Sequence, residues 1–316
     1  MKNTIIAGAG HYVPENVVKN SDLQLIMETS DEWIQERTGI QERRWVAGDS
    51  DDSTSSMGTK AARNAIADAG LEPNDIDFII FATLSPDYYF PGPGVMVQEQ
   101  LGIDTVGALD IRNQCSGFIY GLSVADQFIK TGQYKNILLI GSELHSGGLD
   151  KTTRGRGVSV IFGDGAGAVV LQASDESGKG VLTTKLHSEG KHAKELALLG
   201  PSTAHWVDAI IEENNPEDLS YYPYMNGNFV FKHAVTRFQE VIHQANLRIS
   251  QYVQAKMGLA PEKVFNNIMK YGNTTAASIP IALSEAKAEG RLKKGDLLCL
   301  AAFGSGFTWG SALVQF

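Results

Sequence analysis

Residues 106–132 read VGALDIRNQCSGFIYGLSVADQFIKTG. They form an apolar strand-like run from Val106 to Leu109, a polar turn carrying Cys115, and a helical pattern from Gly117 to Lys130 that stops near Gly132. The same succession recurs outward in both directions. Thr4 to Ala7, Asp77 to Ala82, Asn136 to Ile140, Gly165 to Leu171 and Leu297 to Ala301 read as further strands, and Ser53 to Ala69 as a helix with a Ser-Thr-Ser N-cap region and Gly70 as its stop. Alternation of this kind predicts an α/β fold with largely buried strands.

At ~100 to 200 residues per domain, 316 residues predict two domains or two halves sharing one large core. The expected halves are 1–172, carrying Cys115, and 173–316. Residues 173–226 are rich in charges, Gly and Pro, with Glu-Glu-Asn-Asn-Pro-Glu-Asp at 212–218, and read as a linker and cap. Each half repeats a unit of helix, strand, loop, helix and strand. In the first, the helix ending at Ala69 is followed by the strand at 77–82. In the second, the helix Asn228 to Ile242 runs straight into His243-Gln244-Ala245-Asn246 with no strand between. A segment of about twenty residues is expected to be absent at that point, although a shorter natural connection would give the same sequence.

Composition narrows the function classes. The 43% hydrophobic and 20% charged residues exclude disorder, collagen and coiled coil. The formal net charge is −9 and no run of Lys or Arg exceeds two residues, which argues against a nucleic-acid groove or a membrane-surface helix. Two cysteines, Cys115 and Cys299, make a disulfide framework improbable and point to a reducing compartment. With no signal-like N-terminal run and no stretch of eighteen apolar residues, a cytoplasmic protein is expected.

Four segments could carry chemistry. Cys115 stands between a strand and a helix, where unpaired N–H groups and the helix dipole favour thiolate, so a half-activated nucleophile is expected; the alternative is a buried structural thiol. His243, heading His-Gln-Ala-Asn-Leu-Arg ahead of a helix continuing to Lys256 and Met257, could serve as base or donor on a short loop at a strand end. Six other histidines compete with it. Asn273, in Tyr-Gly-Asn-Thr-Thr-Ala-Ala-Ser, is either an N-cap or an amide donor to a carbonyl. Gly304-Ser305-Gly306 allows a backbone N–H close to a reacting atom, as an oxyanion hole requires, although a hairpin turn would show the same glycines. Together these are what making a thioester and stabilising charge on its carbonyl would need.

With these residues in place, the sequence resembles the β-ketoacyl-acyl carrier protein synthase III family of the thiolase superfamily. The matching stretches are Trp33-Ile34-Gln35-Glu36-Arg37-Thr38-Gly39-Ile40, Cys115-Ser116-Gly117-Phe118, Phe162 to Ala168, His243 to Arg248, Tyr271 to Thr274 and Gly306 to Leu313. The resemblance implies a five-layered α-β-α-β-α thiolase-like fold of two pseudo-repeated halves, normally a homodimer, with Cys115, His243 and Asn273 as the catalytic trio. It implies that Cys115 takes an acyl group from an acyl-CoA primer and that malonyl-acyl carrier protein then decarboxylates to an enolate held by His243 and Asn273. The enolate attacks the acyl-Cys115 carbonyl, whose oxyanion the N–H groups of Cys115 and Ser305 hold. It also implies that Trp33, Arg37 and Arg156 grip CoA, that Arg248 and Lys256 dock the acidic carrier protein, and that Phe90 crosses a dimer interface to line the acyl pocket. A core strand precedes the histidine in this family, where the gap is inferred. No metal or other cofactor is expected, and neither nucleic acid nor membrane as partner.

Two features depart from the family pattern. Ser305 stands where Gly is frequent, which is tolerable if no positive φ is needed there. Asn113-Gln114 and Asp87-Tyr88-Tyr89 are polar or bulky where small residues are usual, and bear on primer choice. Competing readings are a secondary-metabolite condensing enzyme or acyltransferase using longer chains, and a non-catalytic scaffold. A dinucleotide site at Gly163-Asp164-Gly165-Ala166-Gly167 fails because that stretch leads into a strand rather than a helix. A papain-like Cys-His-Asn protease shares the residue types but not the strand-Cys-helix order.

Overall fold

The computed structural model describes residues 2–200, 202, 222–244 and 260–316. Its main sheet has five strands: β1 (Asn3–Tyr12), β2 (Phe78–Ala82), β3 (Gly107–Ile111), β4 (Asn136–Glu143) and β5 (Gly165–Ser174), in the order β1-β5-β4-β2-β3. β5 runs antiparallel to both of its neighbours, β1 and β4, whereas β4, β2 and β3 run parallel. A second sheet holds β6 (Gly180–Ser188), β7 (Leu297–Gly304) and β8 (Thr308–Gln315) in the order β7-β8-β6, all antiparallel.

The helices complete five layers. α1 (Asp31–Thr38) lies in an N-terminal excursion. α2 (Thr54–Asp68) and α3 (Pro93–Leu101) cover the outer face of the five-stranded sheet. α4 (Gly117–Lys130) and α6 (Ser278–Ala288) lie between the sheets, and α5 (Gly227–Gln244) covers the far side of the second. The central layer forms because α4 and α6 are apolar on both faces: Phe118, Ile119, Leu122 and Leu283 meet Ile80, Leu139 and Val169 from one sheet and Leu300, Ala312 and Val314 from the other. This is the α-β-α-β-α arrangement. α2 begins with a reciprocal Ser53–Ser56 cap and α4 occupies the span its pattern predicts.

The predicted strands are all present: β4, β5 and β7 run three residues longer than expected, β1 runs on to Tyr12, and β2 starts one residue later. One expectation is corrected: residues 173–226 are not wholly linker, because β6 pairs along its length with β8, from Gly180↔Gln315 to Ser188↔Thr308. β6 is an edge strand carrying Thr183-Thr184-Lys185, with Leu182 exposed, and so lacks the apolar run of a buried strand.

The two sheets repeat one another. β6, β8 and β7 match β1, β5 and β4 in order, polarity and chain sequence. The counterparts of β2 and β3 would fall between β6 and β7, and among the described residues of that stretch only the two-residue strands Leu196–Ala197 and Tyr224–Met225 occur. Beside the edge of β7 that no described strand pairs lies a cavity of about 960 Å³, lined by Leu298 to Ala301, by Phe265 and Asn267, and by Leu283 and Ala286 of α6.

Candidate active site

Cys115 sits in a turn between β3 and α4. Gln114 just before it adopts φ 47, a left-handed conformation unusual for a residue with a Cβ. The second half repeats this device: Thr275 has φ 46, in a turn that opens α6. The two turns pack together, and Gly141 fits there because a Cβ would lie 2.3 Å from the Ala276 carbonyl oxygen. The pseudo-repeat thus brings the Cys115 and Asn273 turns to one place.

The loop between β7 and β8 closes the site from the other side. Gly304 approaches so closely that a Cβ would stand 2.9 Å from Cys115 Cβ and 3.3 Å from its Sγ. The backbone N–H groups of Cys115 and Ser305 lie close enough to the sulfur to favour its thiolate form. Thr308 Oγ1 is 2.8 Å from Ser116 Oγ and also donates to the Ser305 carbonyl, tying loop to helix. Ser305 is not among the residues with positive φ, so it meets no backbone penalty. The hairpin turn and the donor loop are the same structure.

The resting thiol is not half-activated. Cys115 keeps some accessible surface, but burial, and next the charge of Glu143, push its pKa up from 9.0 to about 12. The two backbone donors oppose this only in part. Glu143 ends β4 fully buried, accepting from Thr83 Oγ1, from the Leu84 and Ser85 N–H groups and from Ser85 Oγ at 2.7 Å. Sequence reasoning missed it because its neighbours come from another strand end. Attack by Cys115 therefore needs a base.

The hydrogen bonds of Asn273 are compatible with both of its readings, a cap through its oxygen and a donor through its amide. Its Oδ1 accepts from the Thr275 N–H at 2.9 Å, so the amide NH₂ is the end left to donate to a ligand. Its backbone N–H donates to the Ile161 carbonyl and its carbonyl accepts from Gly163, which fixes the turn. His243 differs from expectation in place: its backbone belongs to the last turn of α5 rather than to a loop after a strand. Its side chain lies outside the described residues, as do Arg248 and Lys256.

Trp33, Arg37 and Arg156 come together as a cluster. The two guanidinium groups stand 4.5 and 4.7 Å from the Trp33 ring centre, and Arg156 also donates to the Glu28 carbonyl. Phe90 is 82% exposed beside exposed Tyr88 and Tyr89, a patch of the kind that marks an interface. The Gly163-Asp164-Gly165 motif is structural. Asp164 is buried and accepts from the N–H groups of Val46, His145 and Ser146, and the motif leads into β5. Both cysteines are free, and no helix among the described residues is long and apolar enough to cross a membrane.

Comparison with known proteins agrees with this geometry. Residues 109–190 match the family described as 3-oxoacyl-[acyl-carrier-protein (ACP)] synthase III, and residues 235–316 match its C-terminal part. A β-ketoacyl-[acyl-carrier-protein] synthase III from Yersinia enterocolitica is 43% identical over 336 aligned positions, covering 99% of both chains. One from Brucella anthropi is 43% identical over 339 positions covering 100% of both. Against the 316 residues of this chain, 339 − 316 leaves 23 positions that hold no residue of it, close to the length of the expected gap. The crystal structure of 3-oxoacyl-[acyl-carrier-protein] synthase III from Aquifex aeolicus VF5 superposes with a TM-score of 0.88 at 41% identity, covering 99% of this chain and 100% of that one.

Proposed function

The chain belongs to the β-ketoacyl-acyl carrier protein synthase III family, a family of condensing acyltransferases with the thiolase fold, and on that premise we propose how its own residues perform the condensation that starts fatty acid synthesis. Cys115 attacks the thioester carbonyl of an acyl-CoA primer, its proton passing to His243, and CoA leaves as the thiol. Malonyl-acyl carrier protein then enters and loses CO₂. The enolate oxygen so formed accepts hydrogen bonds from His243 and the Asn273 amide, and the enolate carbon attacks the acyl-Cys115 carbonyl. The N–H groups of Cys115 and Ser305 hold the resulting oxyanion, which collapses to expel the Cys115 thiolate and release the β-ketoacyl carrier protein.

A pKa near 12 gives the mechanism its shape. A thiol held neutral at rest needs its proton removed during attack, which gives the imidazole a task in the first half-reaction as well as in the second. Trp33, Arg37 and Arg156 take the CoA adenine and phosphates, for which a ring flanked by guanidinium groups is suited. Arg248 and Lys256 dock the carrier protein, Phe90 reaches into a partner subunit of a homodimer, and the enzyme works in the cytoplasm, where its two thiols stay reduced.

The observation that carries this reading is the packing of the Cys115 turn beside the turn that follows Asn273, with Gly304 closing on the sulfur from the other side. The test is a panel of acyl-CoA primers with malonyl-acyl carrier protein. Best turnover with acetyl-CoA or a short branched acyl-CoA is expected. Condensation only with medium or long chains would move the enzyme to secondary metabolism, and none with any primer would refute the reading.

A further inference from the structure

A second cluster of chemically capable side chains lies behind the donor loop. Glu189 immediately follows β6, His192 ends the short turn Gly190–His192, and His233 lies in α5. One ligand atom from each lies within 4.8 Å of the others. The two imidazole rings are 4.7 Å apart, and both lie against Phe307, at 5.3 and 5.6 Å. Among the described residues, His192 Nε2 is buried without a hydrogen-bond partner.

We propose that Glu189, His192 and His233 form a binding site for a divalent transition metal of the zinc class, independent of the condensation chemistry. Two imidazoles and one carboxylate are a donor set that zinc favours, with a fourth position left for water. Ligand atoms in a tetrahedral zinc site stand ~3.4 Å apart, so atoms up to 4.8 Å apart must close by as much as about 1.4 Å, within reach of side-chain rotation. The ion would orient both rings and use the orphaned Nε2.

Nearby cations set the limits of the site. Glu189 Oε1 is 2.5 Å from Lys191 Nζ, and Oε2 is 2.7 Å from Arg237. Lys191 is 66% exposed and can swing into water, freeing Oε1 for the ion, while Arg237 continues to hold Oε2 and stacks on Trp309.

The location gives the ion a role. The backbone of Glu189 pairs in both directions with that of Phe307, at 2.8 and 3.0 Å, and Phe307 directly follows the Gly304–Gly306 loop. A metal fixing Glu189 to α5 would brace the donor loop from behind, without touching the substrate.

The experiment strips the purified chain with EDTA, removes the chelator by gel filtration, and titrates CoCl₂ under reducing conditions. About one cobalt per chain with the visible d–d absorption of a four- or five-coordinate ion is expected, displaced by zinc. His192→Ala and His233→Ala should each weaken binding by about tenfold or more while melting in EDTA like the parent. Cys115→Ala should bind unchanged, which excludes the catalytic thiol as ligand. His192→Gln on the turn keeps the test valid if the helix variant fails to fold. No cobalt or zinc retained by the parent chain, or the same spectrum and affinity in the histidine variants, would overturn the proposal.

Discussion

The two sheets of this molecule carry the same plan at different degrees of completion. In the first, β4 is flanked by β5 on one side and by the parallel pair β2 and β3 on the other, so Ile80 and Leu139 are fully buried. In the second, β7 holds the place of β4 and, among the described residues, has β8 on one side only. Its other edge faces the 960 Å³ cavity, with Leu298 half-buried and Leu297 exposed. The first half therefore supplies a rigid nucleophile turn, while the second supplies the Asn273 turn and the donor loop from a sheet with one edge that no described strand pairs. An unpaired strand edge is a liability that folded proteins cover. The alignment with the Brucella anthropi relative has 339 − 316 = 23 positions that hold no residue of this chain, about the length of one strand with its connections.

The sharpest break is a mass. A sample that folds and condenses is expected to be heavier than 34.2 kDa, because the counterpart of β2 should precede His243. An active chain of 34.2 kDa by intact-mass spectrometry would show that three strands suffice. Next comes packing. Ile80→Ala should destabilise by about 3 to 4 kcal/mol and Leu298→Ala by about 1 kcal/mol, since only the first leaves a cavity in a closed core. Equal losses in denaturant titrations would mean that the edge of β7 is covered. Hydrogen exchange reads the same contrast as slow amides in β2 and β4 and faster ones along β7.

Within the site, Gly304→Ala should lower condensation by about tenfold or more, because the new methyl meets Cys115 and moves the Ser305 N–H. Unchanged turnover would separate that loop from the chemistry. Glu143→Gln tests the thiol. Removing the charge should lower the Cys115 pKa and, by enlarging the thiolate fraction, speed iodoacetamide alkylation at pH 8 by about tenfold. The sign for stability follows. A thiol whose folded pKa lies above its unfolded value of 9.0 favours folding while it is neutral, and that contribution is lost as pH rises from about 9 to about 12. A parent enzyme already alkylated at pH 8 as fast as an exposed thiol would contradict the account.

Much of this was legible in the sequence wherever a local signal coincided with a tertiary one. Gly132 stops α4 with φ 77, Ser53 caps α2, and the apolar runs at 77–82 and 136–140 are central strands because both faces are covered. The Cys115 and Asn273 segments could be found because each marks a turn that opens a helix. β6 escaped because an edge strand needs no continuous apolar run. The thiol's high pKa escaped because it is set by burial and by Glu143, 28 residues away in the chain, against which the short turn ahead of α4 provides too little. The Glu189–His192–His233 cluster escaped because its members lie on a strand end, a turn and a helix, with no spacing to join them.

The measurement that bears most directly on the whole account is peptide mass spectrometry after incubation with a short acyl-CoA. One acyl group on the peptide containing Cys115, absent in Cys115→Ala and released when malonyl-acyl carrier protein is added, is the expected result. No adduct, or an adduct on Cys299 instead, would contradict it.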